Sequence, residues 1–185
     1  MRWNRSLIVL LALGAVALPV VAGIKAMTLP ELMELTQDTM LVTILDKTTE
    51  PIVVNEEVWV FTKMTVAGES LRTGEAVSTD LHFWGSHDPT DRFTISEMPT
   101  LQDTRVGTRV VVFTNNDDRF AGRTFVNHLA AIFRVESAFQ TEVVMGKGEG
   151  AAVSKNAKLS DVRTQVRDTH IILEAARQAS AAQAK

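Results

Sequence analysis

The stretch LHFWGSHDPTD, residues 81–91, holds the side chains with the clearest potential for chemistry. Imidazole and carboxylate groups are ligands that zinc and other divalent ions accept. His82, His87 and Asp88 are therefore the candidate metal ligands of a small metal-dependent hydrolase. The two histidines are five positions apart, so on a regular strand they point to opposite faces unless the chain bends at Gly85.

The same stretch also fits a strand end followed by an ordinary turn. Residues 81–84 would finish the strand, and an aspartate before Pro89 is common in turns. The chain has only four histidines and no cysteine, which excludes disulfides, thiolate catalysis and cysteine-ligated zinc. We favour the turn, and we assign no catalytic residue, no cofactor and no metal.

Three further motifs have structural explanations. GESLR, residues 68–72, has Arg72 where a G-x-S-x-G nucleophile elbow needs its second glycine, and no helical pattern follows. GKGEGA, residues 146–151, formally fits G-x-G-x-x-A, but a dinucleotide site needs a helix to begin there. Paired carboxylates can act as acid and base. Nothing in the sequence indicates that the candidate carboxylates converge: Glu56, Glu57, Asp80 and Glu136.

Three aromatic residues raise the question of a binding surface. Trp59, Phe61 and Trp84 lie in apolar, strand-like segments. They could form an aromatic face of the kind that OB folds use for nucleic-acid strands or sugars. Aromatic side chains on apolar strands more often belong to the core, so we expect these three to be buried.

The N-terminus predicts export. MRWNR supplies two positive charges, residues 6–23 are almost entirely apolar, and the small residues Val20 and Ala22 favour cleavage after Ala22. An uncleaved membrane anchor is the alternative, which the helix-breaking Pro19 makes less favourable. We therefore expect a signal peptide at residues 1–22 and a periplasmic or extracellular protein.

The charge balance limits the class of partner. The formal net charge is −3, and lysine and arginine do not cluster. The chain therefore lacks the basic surface that nucleic acids and anionic lipids require. We expect no nucleic-acid partner and no membrane contact beyond the signal peptide, and the oligomeric state stays open.

The remainder alternates β-type segments with turns, between two helices. A capping box of Thr28 and Glu31 predicts a short first helix, which places four residues toward the core: Leu29, Leu32, Met33 and Leu35. The last segment has helical spacing from Ser160, its expected cap, and residues 179–185 should fray. Six segments rich in β-branched and aromatic residues predict strands: 39–46, 56–66, 76–85, 107–117, 123–136 and 141–146.

This order predicts a mainly β fold. We expect a small antiparallel, OB-like β-barrel with a short N-terminal helix and a C-terminal amphipathic helix. The barrel domain would span residues 23–158, and the C-terminal helix with its frayed tail residues 159–185. VWVF, residues 58–61, and VVVF, residues 110–113, are apolar on both faces and should form central strands.

Three segments, LPELMELTQDTMLVTIL, MPTLQDTRVGTRVVVFTNND and FVNHLAAIFRVE, resemble an uncharacterised family of bacterial secreted proteins. The segments that agree best with the family pattern are Met98-Pro99, Val106-Gly107 before TRVVVF, and the hairpin of residues 125–135. The resemblance covers roughly residues 28–136 and implies an OB-like barrel with a packed helix. The resemblance implies no catalytic residue for this chain. The chain departs from the family after HFW, where GSHD replaces a glycine pair.

These features favour a secreted or periplasmic, non-catalytic binding domain, whose partner is an unknown protein or envelope component. One alternative is the metal-dependent hydrolase with His82, His87 and Asp88. The other is an envelope assembly or structural protein in which the final helix mediates self-association.

Overall fold

The computed structural model describes residues 27–87, 98–126, 131–146 and 151–183, so the predicted signal peptide lies outside it. Two helices lie near the ends of the described part of the chain, and a 3-10 turn at Asp118–Phe120 precedes the strand that begins at Arg123. In these ranges no helix has both the length and the apolar character to cross a membrane. The elements are α1 (Leu29–Glu34), β1 (Asp38–Val54), β2 (Glu57–Ser70), β3 (Ala76–Trp84), β4 (Arg109–Asp117), β5 (Arg123–Val126), β6 (Ile132–Ala138), β7 (Thr141–Met145), β8 (Lys155–Lys158) and α2 (Leu159–Gln183).

Five strands close into a barrel in the order β1-β2-β3-β5-β4, and β4 pairs with β1 to complete the circle. Within the described strands, β3 and β5 form the one parallel pair, and the other pairs are antiparallel. Strand β6 joins the free edge of β4 beside β5 and leads into β7 and β8. The predicted fold class, a mainly β barrel with a short first helix and a C-terminal helix, is confirmed.

Both faces of the barrel wall are apolar where β1 crosses β4. The inner face carries the alternate residues of each strand, including Met40, Val42, Ile44, Met64, Val66, Leu81, Phe83, Val110 and Val112. The outer face at the same level carries Leu41, Val111, Phe113 and Phe133, which are also buried. Buried side chains from α1, β7 and α2 belong to the same core: Leu32, Met33, Val144, Leu159, Val162 and Val166. These elements therefore cover the outer face here.

Gly68 permits the close crossing of β1 and β2. It pairs with Val42. A Cβ atom at Gly68 would overlap the Leu41 carbonyl oxygen and lie 2.7 Å from Val42 Cα. Only glycine fits this approach without a backbone shift.

The ends of α1 are held by polar contacts. Glu31 accepts a hydrogen bond from the Thr28 backbone N–H at 2.8 Å, as the capping box predicts. At the other end the buried Arg72 donates to the carbonyl oxygens of Met33 and Thr36, at 3.2 and 3.0 Å. Desolvation lowers the pKa of Arg72. The contacts satisfy carbonyl groups that a helix end leaves without partners.

Several predicted boundaries are wrong. The strand predicted at residues 39–46 continues as β1 through Pro51 to Val54. The segment 123–136 forms two strands, β5 and β6, which pair with different parts of β4, and β8 was not predicted. Helix α2 begins at Leu159, so Ser160 lies inside it, and the helix extends to Gln183 instead of fraying after residue 178. Leu35 is 55% exposed, whereas Leu32 and Met33 are buried as predicted.

Candidate functional site

The buried ring of His82 is held between two acceptors. Its Nδ1 lies 3.2 Å from the Thr124 carbonyl oxygen, and its Nε2 lies 3.2 Å from Glu50 Oε1. A neutral imidazole can donate to only one of them, and a protonated ring to both. Both ring nitrogens of His82 therefore lie against acceptors that belong to the protein itself.

His87 has a separate environment. Its Nε2–H donates to the Pro99 carbonyl oxygen at 2.8 Å, and its ring packs edge-on against Phe83 at 5.6 Å. Burial lowers the pKa of His87, an effect that the hydrogen bond to Pro99 partly opposes. Its Nδ1 is buried and has no hydrogen-bond partner among the described residues. The neutral ring, protonated on Nε2, fits this setting.

The structure does not bring the two histidines together. His82 packs beside Phe125 on the outer face of β3, and His87 packs against Phe83, which points to the inner face. Asp88 lies outside the described residues. Across the four described ranges no group of three histidines, aspartates or glutamates could hold a metal ion.

Ser70 of GESLR and Gly146 of GKGEGA have structural roles in the turns that contain them. Ser70 Oγ donates to Asp38 Oδ1 at 2.8 Å and accepts from the backbone N–H of Arg72 at 3.2 Å. It thus stabilises the turn between β2 and β3. A Cβ atom on Gly146 would overlap the carbonyl oxygens of Val153 and Ser154, so this glycine permits close packing of the backbone. Residues 147–150 are outside the described ranges.

Among the described residues is a cleft of about 830 Å³, here called the aromatic cleft. Its apolar wall comprises Trp59, Phe61, Trp84, Phe120 and Phe125. The indole rings of Trp59 and Trp84 lie 4.8 Å apart and are inclined by 48°. The Phe120 ring contacts those of Phe61 and Phe125, at 5.1 and 5.2 Å. Trp84 is nevertheless 50% exposed.

The strand register explains why these rings meet. Phe61 pairs with Trp84, so both lie on the outer face of the barrel, and Trp59 follows Phe61 on the same face because side chains alternate. Phe125 lies beside His82 across the parallel pairing. The 3-10 turn after β4 adds Phe120. Rings from four elements therefore form one cluster.

Two turns form the rim of the cleft. The β1–β2 hairpin extends past the barrel and turns at Asn55 and Glu56, which both have positive φ. Asp117 starts the 3-10 turn by accepting the Arg119 N–H, and the guanidinium of Arg119 returns to the same carboxylate at 2.6 Å. The hydrogen bond lowers the pKa of Asp117 and raises that of Arg119. Asn116 also lines the rim, and its Oδ1 accepts from Thr124 Oγ1.

A charged band separates the cleft from the covered end of the outer face. Glu50 lies within 3.2 Å of His82 Nε2, 3.8 Å of Lys63 Nζ and 3.9 Å of Arg123 Nε. Lys63 also approaches Asp80, at 3.9 Å. Each cation of this band thus has a carboxylate neighbour.

The expectation that the three aromatic residues are buried holds for Phe61 and is wrong for Trp84. The contribution of Phe120 and Phe125 was not predicted, because these residues lie some sixty positions beyond Phe61 in the chain. The two-residue spacing of Trp59 and Phe61 was the available signal, since it places both rings on one face. No family model, no curated protein and no solved structure matches the chain.

Proposed function

We propose that this chain is a secreted or periplasmic, non-catalytic binding domain whose ligand occupies the aromatic cleft. The observation that carries the proposal is the half-exposed Trp84 indole, packed on Trp59 inside a concave surface. Ligand sites are typically clefts of this size, with apolar walls and a few polar groups. A protein gains stability by burying an indole, so an accessible one in a cleft indicates a binding role.

The OB-like assignment belongs to this proposal. The strand order, with β3 parallel to β5, supports it. OB barrels bind ligands on the face of strands 2 and 3, between the loops that follow strands 1 and 4. The lining of the aromatic cleft includes the outer face of β2 and β3, the β1–β2 turn and the β4–β5 turn, together with Phe83 and Val126 of the inner face. The resemblance to a secreted bacterial family is consistent with such a barrel.

A retention experiment tests the proposal. The full chain and its Trp84→Ala variant are immobilised and exposed to a native envelope extract, separated into protein and polysaccharide fractions. We expect a defined component to bind the wild-type chain and to be lost from the variant. Ile172→Ala is the matched control, because Ile172 is a large exposed apolar residue on α2, away from the cleft.

Retention that is equal for the Trp84→Ala variant, or no retained component in either fraction, contradicts the proposal. Circular dichroism of each variant establishes that a loss of retention is not a loss of folding.

A further inference from the structure

We propose that the aromatic cleft binds a neutral oligosaccharide. This inference rests on the proposed function and adds the chemical class of the ligand. The supporting observations are the compensated charges around the cleft, the inclined indole pair and the planar polar groups of the rim.

The charges disfavour an anionic ligand. Arg119 is engaged by Asp117, and Lys63 and Arg123 are neighbours of Glu50. A phosphate group would have to compete with these carboxylates. Nucleic-acid binding depends on cations that neutralise phosphates, and the chain carries a formal net charge of −3. The lining therefore disfavours an anionic ligand.

The indole pair favours a ligand with flat apolar faces. An aromatic ring face is electron-rich, so it attracts the weakly positive C–H groups on one face of a sugar ring. The rings of Trp59 and Trp84 are inclined by 48°, so their planes differ, and the half-exposed Trp84 ring offers a stacking surface beside Trp59. The cleft of about 830 Å³ has room for more than one sugar ring. A short oligosaccharide could stack on the Trp84 ring.

The rim supplies the hydrogen-bonding groups that sugar hydroxyls need. Asn55 and Asn116 carry amides that both donate and accept, and Asp117 and Arg119 add a carboxylate and a guanidinium. The Arg119 side chain is 80% exposed despite its ion pair, so further N–H groups remain accessible. Hydroxyl pairs on a sugar can bind such planar groups through two hydrogen bonds.

Two other ligand classes also use aromatic clefts. Proline-rich peptides bind aromatic-lined grooves, and quaternary ammonium groups bind aromatic cages. The Arg119 guanidinium already lies 5.7 Å from the Phe120 ring centroid, which disfavours a second cation there. The polar rim favours a hydroxyl-rich ligand over polyproline, which has no side-chain donors. Both classes are included in the test.

Tryptophan fluorescence reports directly on the cleft. The chain has three tryptophans and no tyrosine, so in the full chain with Trp3→Phe the emission comes from Trp59 and Trp84 alone. We would titrate this protein with cellohexaose, chitohexaose and maltohexaose, and in parallel with decaproline, a ten-nucleotide oligothymidine and choline.

We expect at least one hexasaccharide to shift the emission and to bind at least tenfold more weakly to the Trp84→Ala variant. Asn116→Ala should weaken the same binding several-fold, and Ile172→Ala should leave it unchanged. If no hexasaccharide, and no member of a wider array of neutral glycans, binds in a Trp84-dependent way, the oligosaccharide inference is overturned. Trp84-dependent binding of decaproline or choline would then preserve the proposed function, whereas no Trp84-dependent binding of any ligand would contradict both.

Discussion

The outer face of the barrel differs at its two ends. At one end Leu41, Val111 and Phe113 are buried under α1, α2 and β7. At the other end Trp59 and Trp84 lie in a cleft, and Trp84 remains half exposed. Both regions carry large apolar side chains on the outer face, on β1 and β4 in the first and on β2 and β3 in the second. Apolar side chains on the outer face of a strand therefore join the core only where other elements of the chain cover them.

The largest expected contrast is between Phe113 and Trp84. Phe113→Ala would leave a cavity under the helices and should cost about 3–5 kcal/mol of unfolding free energy. Trp84→Ala removes a half-exposed ring, so we expect a cost of about 2 kcal/mol or less. Urea unfolding monitored by circular dichroism measures both. A cost for Trp84→Ala as large as that for Phe113→Ala would make Trp84 a core residue and remove the contrast between the ends.

A second contrast concerns two glycines. Gly68 lies where β1 and β2 cross near the covered end, and an added methyl group would overlap backbone atoms. Gly68→Ala should therefore cost about 3 kcal/mol. Gly122, in the turn at the cleft end, has positive φ and open space around it, so Gly122→Ala should cost about 1 kcal/mol. Thermal unfolding of both variants tests this, and equal losses would show that the crossing is not tight.

The smallest effect is expected from the ion pair that attaches α2 to the barrel. Arg163 Nη2 donates to Glu69 Oε1 at 2.5 Å, and this hydrogen bond lowers the pKa of Glu69. Both side chains are about one-third exposed, so Glu69→Gln should cost about 0.2–1 kcal/mol at pH 7. A double-mutant cycle with Arg163→Gln isolates the pairwise energy.

The pH dependence of this pair has a defined sign. Because the folded state lowers the Glu69 pKa, the stabilisation is present above the usual carboxyl range and disappears as the pH falls through the lowered value. The coupling energy should therefore approach zero under strongly acidic conditions. A coupling that is unchanged there would mean that the two residues interact through packing instead of charge.

Local patterns predicted much of the barrel. The alternating segment 76–85 forms β3 at Ala76–Trp84, and the capping box begins α1 as expected. The VVVF segment of β4 is buried on both faces, because its inner face fills the barrel and its outer face belongs to the core that α1, α2 and β7 share. These features depend on a few neighbouring residues and on strand alternation, which the sequence displays.

The errors come from relations between distant segments. Pro51 does not break β1, because the pairing of β1 with β4 stops at Thr43 and Pro51 lies on an edge where its missing N–H is tolerated. VWVF was expected at the sheet centre, but Val58 lies on the projecting hairpin and is 62% exposed. The cleft was missed for the same reason, since Phe120 and Phe125 join it only through the closure of the barrel.

Arg72 gives the N-terminal helix a mechanical role. Its guanidinium donates four hydrogen bonds, to Met33, to Thr36 twice and to Thr39. Tension applied at the N-terminus would reach α1 before β1, and it would act first on the bonds from Arg72 to Met33 and Thr36. Peeling this segment away would remove the Met33 and Thr36 acceptors and leave the Arg72 guanidinium with Thr39 alone. Arg72, in the turn after β2, therefore holds α1 against the barrel, and these hydrogen bonds would have to break before a pulling force reached β1.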